Sequence, residues 1–284
     1  LVGSEMCIRD SINAHYFINF VDFNVIFLLI SMMIIVSIAS KSGVFTWIAN
    51  ALLKKTKGHP TKILIALGVF TAIASAFLDN VTTVILVVPV TFLAAKKLDI
   101  NPIPYLITEI LASNIGGTAT LIGDPPNIII GSKAGFTFMD FLLELTDIVC
   151  LIFVVSMLIL WLCFRKQLVA SKEKMEAVAL LDNSSTITDM KLAIRSSIVL
   201  LLVILGFILH DVIHLESYVI AMAGASFLLI FESPKRVLNG IEWNTIFFFI
   251  GLFIIIGGFE AAGGISMMAQ WILDVTKGNE TAMA

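Results

Sequence analysis

Apolar stretches of nearly bilayer-crossing length follow one another along most of the chain, separated by short polar interruptions. A spanning helix needs about 20 mostly apolar residues. The candidates are Val25–Ala39 with an amphipathic continuation over Val44–Leu53, then Ile63–Leu78, Val81–Ala95, Ile103–Ile115, Ile128–Ala134, Phe141–Phe164, Ile198–Leu209, Tyr218–Phe231 and Thr245–Phe259. Only Arg165 to Arg195, with its KEK and DNSS strings, is a sustained hydrophilic stretch. It reads as a solvated connecting loop with room for a short surface helix. Two interruptions fall inside apolar sequence: SAFLDNVTT at Ser75–Thr83 and NIGGTATLIGDPPN at Asn114–Asn127. The glycines, threonines, carboxylate and paired prolines of the second cannot continue a helix. At membrane depth, broken backbone is tolerated only where protein buries it or where it lines a watery cavity. In transporters such breaks point to the substrate or ion site.

Composition agrees with this pattern. The chain is 58% hydrophobic and 14% charged, with a mean hydropathy of +1.00, whereas a soluble domain is about 25% charged. The expected class is an all-α, polytopic integral membrane protein embedded in a lipid bilayer, in the inner or plasma membrane of the cell. The net charge of −3 matters less than where the basic residues lie. They cluster at Lys54, Lys55, Lys57 and Lys62, at Lys96 and Lys97, at Arg165, Lys166, Lys172 and Lys174, and at Lys235 and Arg236. All of these are cytoplasmic if Ile63–Ala95 enters and returns to the same side, Ile103–Ala134 crosses outward as one broken helix, and Phe141–Phe164 crosses back. Cys7, Cys150 and Cys163 have neither paired nor metal-like spacing and read as inert. No basic patch with interleaved aromatics suggests nucleic acid, no cofactor motif occurs, and there is no signal-peptide pattern.

VDFNVIFLLISMMIIVSIASKSGVF from Val21 matches IEWNTIFFFIGLFIIIGGFEAAGGI from Ile241. Asp22 aligns with Glu242, Phe23 with Trp243, Asn24 with Asn244 and Gly43 with Gly263. A repeat of this length suits a transporter half rather than a solenoid. By the charge count the first copy ends in the cytoplasm and the second begins there, so the expected architecture is an inverted repeat. The expected division has four parts. Residues 12–164 form a first repeat, containing a helix, a re-entrant hairpin over 62–97, a broken helix over 101–135 and a helix over 141–164. A cytoplasmic loop follows at 165–195, and 196–284 begin a second, truncated repeat. Residues 1–11 resemble a translated sequencing adapter and are set apart. The chain is therefore expected to be a fragment, with second-half counterparts of Asp79 and Asn80 about 15 residues past its end.

The interruptions carry the candidate chemistry. If Asp79 and Asn80 form the tip of a re-entrant hairpin, a carboxylate lies inside the membrane, where such groups are functional. Otherwise they form an ordinary outer turn. Thr82 and Thr83 add hydroxyl oxygens, giving hard ligands suited to Na⁺ or a proton, and Pro89 frees a further carbonyl. The second break offers Asn114, Gly116, Gly117, Thr118, Thr120, Asp124 and Asn127. Its glycines permit close backbone approach, carbonyls before Gly116 suit a cation, and amides after Pro125–Pro126 suit an anion. Asp124 is either a ligand or a plain N-cap. Asp79, Glu109 and Asp124 are the proton-coupling candidates, and Asp79, Asn80 and Asn114 are the candidates for holding a transported Na⁺. No resident metal is expected; His210, Asp211 and His214 have a metal-like spacing but read as polar interface residues. Glu260 aligns with Ser40 and has no assigned role.

The strings Ser75–Thr83 with Pro89, and Ala112–Asn127, resemble the ion transporter superfamily, specifically its arsenite/sodium–proton permease branch, which includes the pink-eyed-dilution protein. The resemblance covers nearly everything from residue 20 onward. It implies a citrate-transporter-like domain, homodimers and an elevator-like transport domain. The related dicarboxylate branch has Ser-Asn-Thr at the hairpin tip, where this chain has Leu78, Asp79 and Asn80. That departure favours a carboxylate-based cation or proton site. The expected function is secondary active transport coupled to Na⁺ or H⁺, with sodium–proton antiport as the specific case. An arsenite or organic-anion permease such as a citrate carrier is the alternative. An intramembrane aspartyl protease using Asp79 and Asp124 is a remote rival, because Leu121-Ile122-Gly123-Asp124 lacks the first glycine of the expected Gly-x-Gly-Asp.

Overall fold

The computed structural model describes residues 18–179, 186–209, 213–232, 237–238 and 240–276. The described elements are helices: α1 (Phe23–Lys41), α2 (Val44–Lys55), α3 (Pro60–Ser75), α4 (Asn80–Leu98), α5 (Ile103–Gly117), α6 (Pro125–Ala134), α7 (Phe138–Phe164), α8 (Lys172–Ala179), α9 (Met190–Ile208), α10 (Ser217–Leu229), α11 (Trp243–Ala261) and α12 (Gly264–Thr276). Five of them, α1, α4, α7, α9 and α11, are long and apolar enough to cross a bilayer. The adapter-like residues 1–11, His210, Asp211, Lys235 and Arg236 lie outside the described residues.

The chain divides into two compact units, residues 28–241 and residues 1–27 with 242–284. In the larger unit, α2, α3, α4, α5, α7 and α8 converge on one core, built around Leu53, Leu64, Leu67, Val90, Leu98, Tyr105 and Val178. Tyr105, deep in that core, donates its hydroxyl to the Pro60 carbonyl at 3.1 Å. At the start of α7, Thr137 and Asp140 form a reciprocal capping box that satisfies two of the helix's otherwise orphan amides. The helix then runs 27 residues, about 40 Å at 1.5 Å per residue, which exceeds a bilayer's hydrocarbon core. Much of its surface is exposed and aliphatic, including Leu151, Val154, Leu158 and Leu162. A surface of this kind belongs in lipid.

The described part of the hydrophilic stretch contains the short helix for which its sequence leaves room. Within it α8 docks on the core through fully buried Val178, and Lys174 pairs with Asp99 at 2.7 Å. The Lys174 ammonium holds the Asp99 carboxyl below its usual range. The next helix begins at Met190, eight residues before the apolar run at Ile198. Its start is set by Asp189, whose side chain accepts the amides of Lys191 and Leu192. A sequence scan for apolar runs passes over this first stretch because it carries Lys191 and Arg195.

The internal sequence similarity has a local structural counterpart. Phe23 and Trp243, Lys41 and Ala261, and Gly43 and Gly263 are each separated by the same 220 residues, and each pair bounds the same element. Both 19-residue helices are followed by a glycine in the left-handed region, Gly43 at φ 83° and Gly263 at φ 78°. Without a Cβ, glycine adopts that conformation at no steric cost.

Candidate functional site

The two polar interruptions meet through Asn80 and Asp124, 44 residues apart in sequence. The α3–α4 turn places Asp79 at the N-cap of α4, where its Oδ1 accepts the Thr82 amide at 2.8 Å. The next residue, Asn80, reaches across both breaks. Its Oδ1 accepts the hydroxyl of fully buried Ser75 at 2.6 Å, and its Nδ2 donates to Asp124 Oδ2 at 3.2 Å. Asp79 Oδ2 and Asp124 Oδ1 take no hydrogen bond from the described residues. Asn80 thus follows one acid in sequence and hydrogen-bonds the other, which brings both carboxylates into one cluster. All three side chains are half-buried.

The second break is built to close on itself. Asn127 donates its amide to the carbonyls of Gly117 and Thr120, at 3.1 and 2.9 Å. Thr120 donates to the Ala76 carbonyl and accepts the Gly123 amide at 3.1 Å, which ties the break to the end of α3. Glycine is required where the segments touch. A Cβ on Gly116 would overlap the backbone of Ala72, and one on Gly117 would overlap Asn80 Oδ1. At Gly123 a Cβ would crowd the carbonyls of Gly117 and Ser75.

Several sequence expectations are refined by this geometry. Helix α5 stays helical through Gly117, so the break begins after the glycine pair; the carbonyls of Ile115 and Gly116 are taken by the Thr118 hydroxyl and the Ala119 amide, and those of Gly117 and Thr120 by Asn127. Asp124 stands at the N-cap position of α6 without a side-chain cap bond; its carboxylate serves Asn80 instead. Pro125 and Pro126 have no N–H, and the Asn127 amide goes to the Asp124 carbonyl at 3.0 Å. The first three positions of α6 thus offer an anion no free amide. Asn114 and Thr118 are exposed and bond back to their own helix, to Ile110 and Ile115. Thr82 contributes its amide rather than its hydroxyl to Asp79. Thr83 is buried with an unpartnered hydroxyl. Glu109 is fully buried two turns away from the Asn80 cluster. Pro89 lies inside α4. Ser75 was not among the sequence candidates, although it opens the first polar string. Its place five residues before Asn80 across a turn is visible only in three dimensions. Among the described residues no cluster of three or more His, Cys, Asp or Glu forms a metal site.

A family model described as "Citrate transporter" matches residues 8–284. A 46 kDa membrane protein of Mycobacterium leprae is 43% identical over 262 residues, which are 92% of this chain and 61% of that protein. An uncharacterized transporter of Mycobacterium tuberculosis is 41% identical over 266 residues, 93% of this chain and 62% of that protein. The P protein of Mus musculus is 29% identical over 322 residues, 87% of this chain and 39% of that protein. The chain thus spans about three fifths of the length of the mycobacterial relatives it matches. The family model and the Mycobacterium tuberculosis relative are described as transporters and the Mycobacterium leprae relative as a membrane protein, which argues against the aspartyl-protease alternative. With a matching family model over nearly its whole length and several helices able to cross a bilayer, the chain is an integral, multi-pass membrane protein and belongs to the citrate transporter family.

Proposed function

We propose that the full-length protein is a secondary active transporter coupled to Na⁺ or H⁺, with sodium–proton antiport as the favoured case. The observation that carries this reading is the pair of carboxylates flanking Asn80, each with one oxygen that takes no hydrogen bond from the described residues. Two nearby carboxylates repel unless a cation or proton lies between them, and carboxylate and amide oxygens are the hard ligands that Na⁺ prefers. The free oxygens of Asp79 and Asp124 would bind the cation, Asn80 would hold them in register, and Ser75 would fix Asn80. Thr82, Thr83, Gly116, Gly117, Thr120 and Asn127 would shape the site, with Asn114 and Thr118 on the exposed flank of α5.

The second reading, an anion permease for citrate, another dicarboxylate or arsenite, is favoured by the description of the family model. The missing amides at the start of α6 weigh against it. Counterflow in proteoliposomes made from the full-length gene product, screened over Na⁺, Li⁺, arsenite and dicarboxylates, separates the two. Exchange of Na⁺ or Li⁺ alone is expected; exchange of arsenite or a dicarboxylate without a cation requirement would replace the first reading with the second.

The same proposal includes an inverted repeat, a homodimer in the inner or plasma membrane, and the division at 12–164, 165–195 and 196–284. The sequence match between the copies and the basic clusters support the inversion. In a background without native cysteines, Lys57→Cys and Lys235→Cys are both expected to be blocked only by reagents that reach the cytoplasm, and His214→Cys from outside. Opposite accessibility of positions 57 and 235 would mean that the copies run parallel.

A further inference from the structure

One acid stands apart from the Asn80 cluster. Glu109 lies on α5 eight residues before Gly117, about 12 Å along the helix axis, and its side chain is fully buried. Thr91 of α4 donates its hydroxyl to one carboxyl oxygen, and the other oxygen has no partner. An ionised carboxylate taken from water is strongly disfavoured without a counter-charge or a full set of donors. Glu109 has neither. The helices packed against α5 are α3, α4 and α7. Their charged residues, Lys62 on α3, Lys96 and Lys97 on α4, and Asp140, Glu144 and Asp147 on α7, are all exposed, and none pairs with Glu109. Tyr105, on α5 itself, is committed to the Pro60 carbonyl. A carboxyl group bearing its proton fits this setting, since it is neutral and supplies its own donor.

Between Glu109 and the Asn80 cluster lie more hydroxyls than the fold uses. Tyr105 meets Pro60, Thr108 meets Gly68, and Gly116 meets Ala72, so α3 and α5 run side by side in the same direction. The antiparallel α4 brings Asn80 beside Gly117 and Thr91 beside Glu109. In this register Thr83, one turn along α4 from Asn80, and Thr71, one turn before Ser75 on α3, fall between the two sites. Both are buried and both hydroxyls are unpartnered. Native proteins leave few buried polar atoms unpaired, and these two lie between the two acids along the helices, without a hydrogen bond from either to the described residues.

We propose that Glu109, held by Thr91, is an internal proton-binding site coupled to the cation site, with the hydroxyls of Thr83 and Thr71 lying between the two. The proposal rests on the reading of Asp79, Asn80 and Asp124 as that cation site. The chemistry is proton transfer alone: the Glu109 O–H bond breaks, the proton passes to water that enters the site, and the carboxylate regains a proton from water when the cation departs. One positive charge enters as another leaves.

The test uses the full-length protein in proteoliposomes and two variants with different expected signatures. Glu109→Gln is expected to keep Na⁺/Na⁺ exchange but to lower Na⁺ accumulation driven by a pH gradient at least about tenfold, the scale of a typical coupling between sites. It should also lose the carbonyl stretch of a protonated carboxylic acid from the pH-difference infrared spectrum. Asp79→Asn is expected to lose exchange and accumulation together while keeping that infrared band. Retained pH-driven accumulation in Glu109→Gln, or persistence of the band, overturns the proton site. Retained exchange in Asp79→Asn instead overturns the cation site on which it rests. Should Glu109→Gln fail to insert, Thr91→Val carries the test, because loss of the hydroxyl must shift the pH midpoint of the band. An unchanged midpoint overturns the proposal.

Discussion

Asp79→Asn is expected to abolish coupled Na⁺ transport by the full-length protein while leaving its insertion and thermal unfolding nearly unchanged. The separation of the two effects follows from what each oxygen of Asp79 does. Its Oδ1 accepts the Thr82 amide at the start of α4, and asparagine caps a helix about as well as aspartate. The replacement therefore preserves the turn. What it removes is the negative charge and the second carboxylate oxygen, the one with no hydrogen-bond partner among the described residues. An equivalent loss is expected from Asp124→Asn, which still accepts from Asn80 through its amide oxygen but leaves Asp79 as the sole carboxylate. With a hard-cation site reduced to one acid, affinity for Na⁺ should fall by about tenfold or more per lost charge. Measuring ²²Na⁺ uptake beside the unfolding temperature of the same preparation checks both halves of the claim. Near-normal uptake would reduce Asp79 to a helix cap, the ordinary-turn reading of this position.

Gly116→Ala is expected to have the largest effect on folding of any single methyl group added near the site. The added Cβ would overlap backbone atoms of Ala72, and backbone cannot rotate aside as a side chain can. Helices α3 and α5 must separate, and that contact also places Ser75 and the Gly117–Gly123 break. Overpacking of a tight site costs about 1–3 kcal/mol, an amount expected to lower the unfolding temperature in detergent and to weaken Na⁺ binding together. Gly251→Ala on α11 is the control. A Cβ there meets nothing within 4 Å, and replacing a helical glycine with alanine stabilises by about 0.5–1 kcal/mol. Equal behaviour of the two variants would show that α3 and α5 are not held at glycine distance.

Sequence alone determined that the chain is helical and membrane-embedded, because a continuous apolar run and the positions of its polar breaks are local properties of the chain. It located both breaks, since a glycine pair, paired prolines and Asx residues between apolar flanks interrupt a helix wherever they occur. The interval of 220 residues between α1 and α11 was likewise legible, because the two copies share their residue pattern as well as their length. Helix ends were less visible. The start of α9 at Met190 depends on the Asp189 cap and lies in sequence too charged to look like a span. Docking of α8 depends on Val178 finding a core assembled from other helices.

The site itself belongs to tertiary structure. Nothing near Asn80 in sequence announces Asp124, and nothing near Glu109 announces Thr91. These pairs form because α3 and α5 pack side by side in the same direction, with α4 antiparallel between their ends. A hydrogen bond between residues 44 or 18 positions apart is fixed by helix register. Register is set in turn by where glycine lets two backbones touch, at Gly116 against Ala72 and at Gly117 against Asn80. The sequence supplied the side-chain types and the permission for close approach. Only the packing decided which oxygens would share a partner, which carbonyls Asn127 would occupy, and which acids would be left with an oxygen facing no donor.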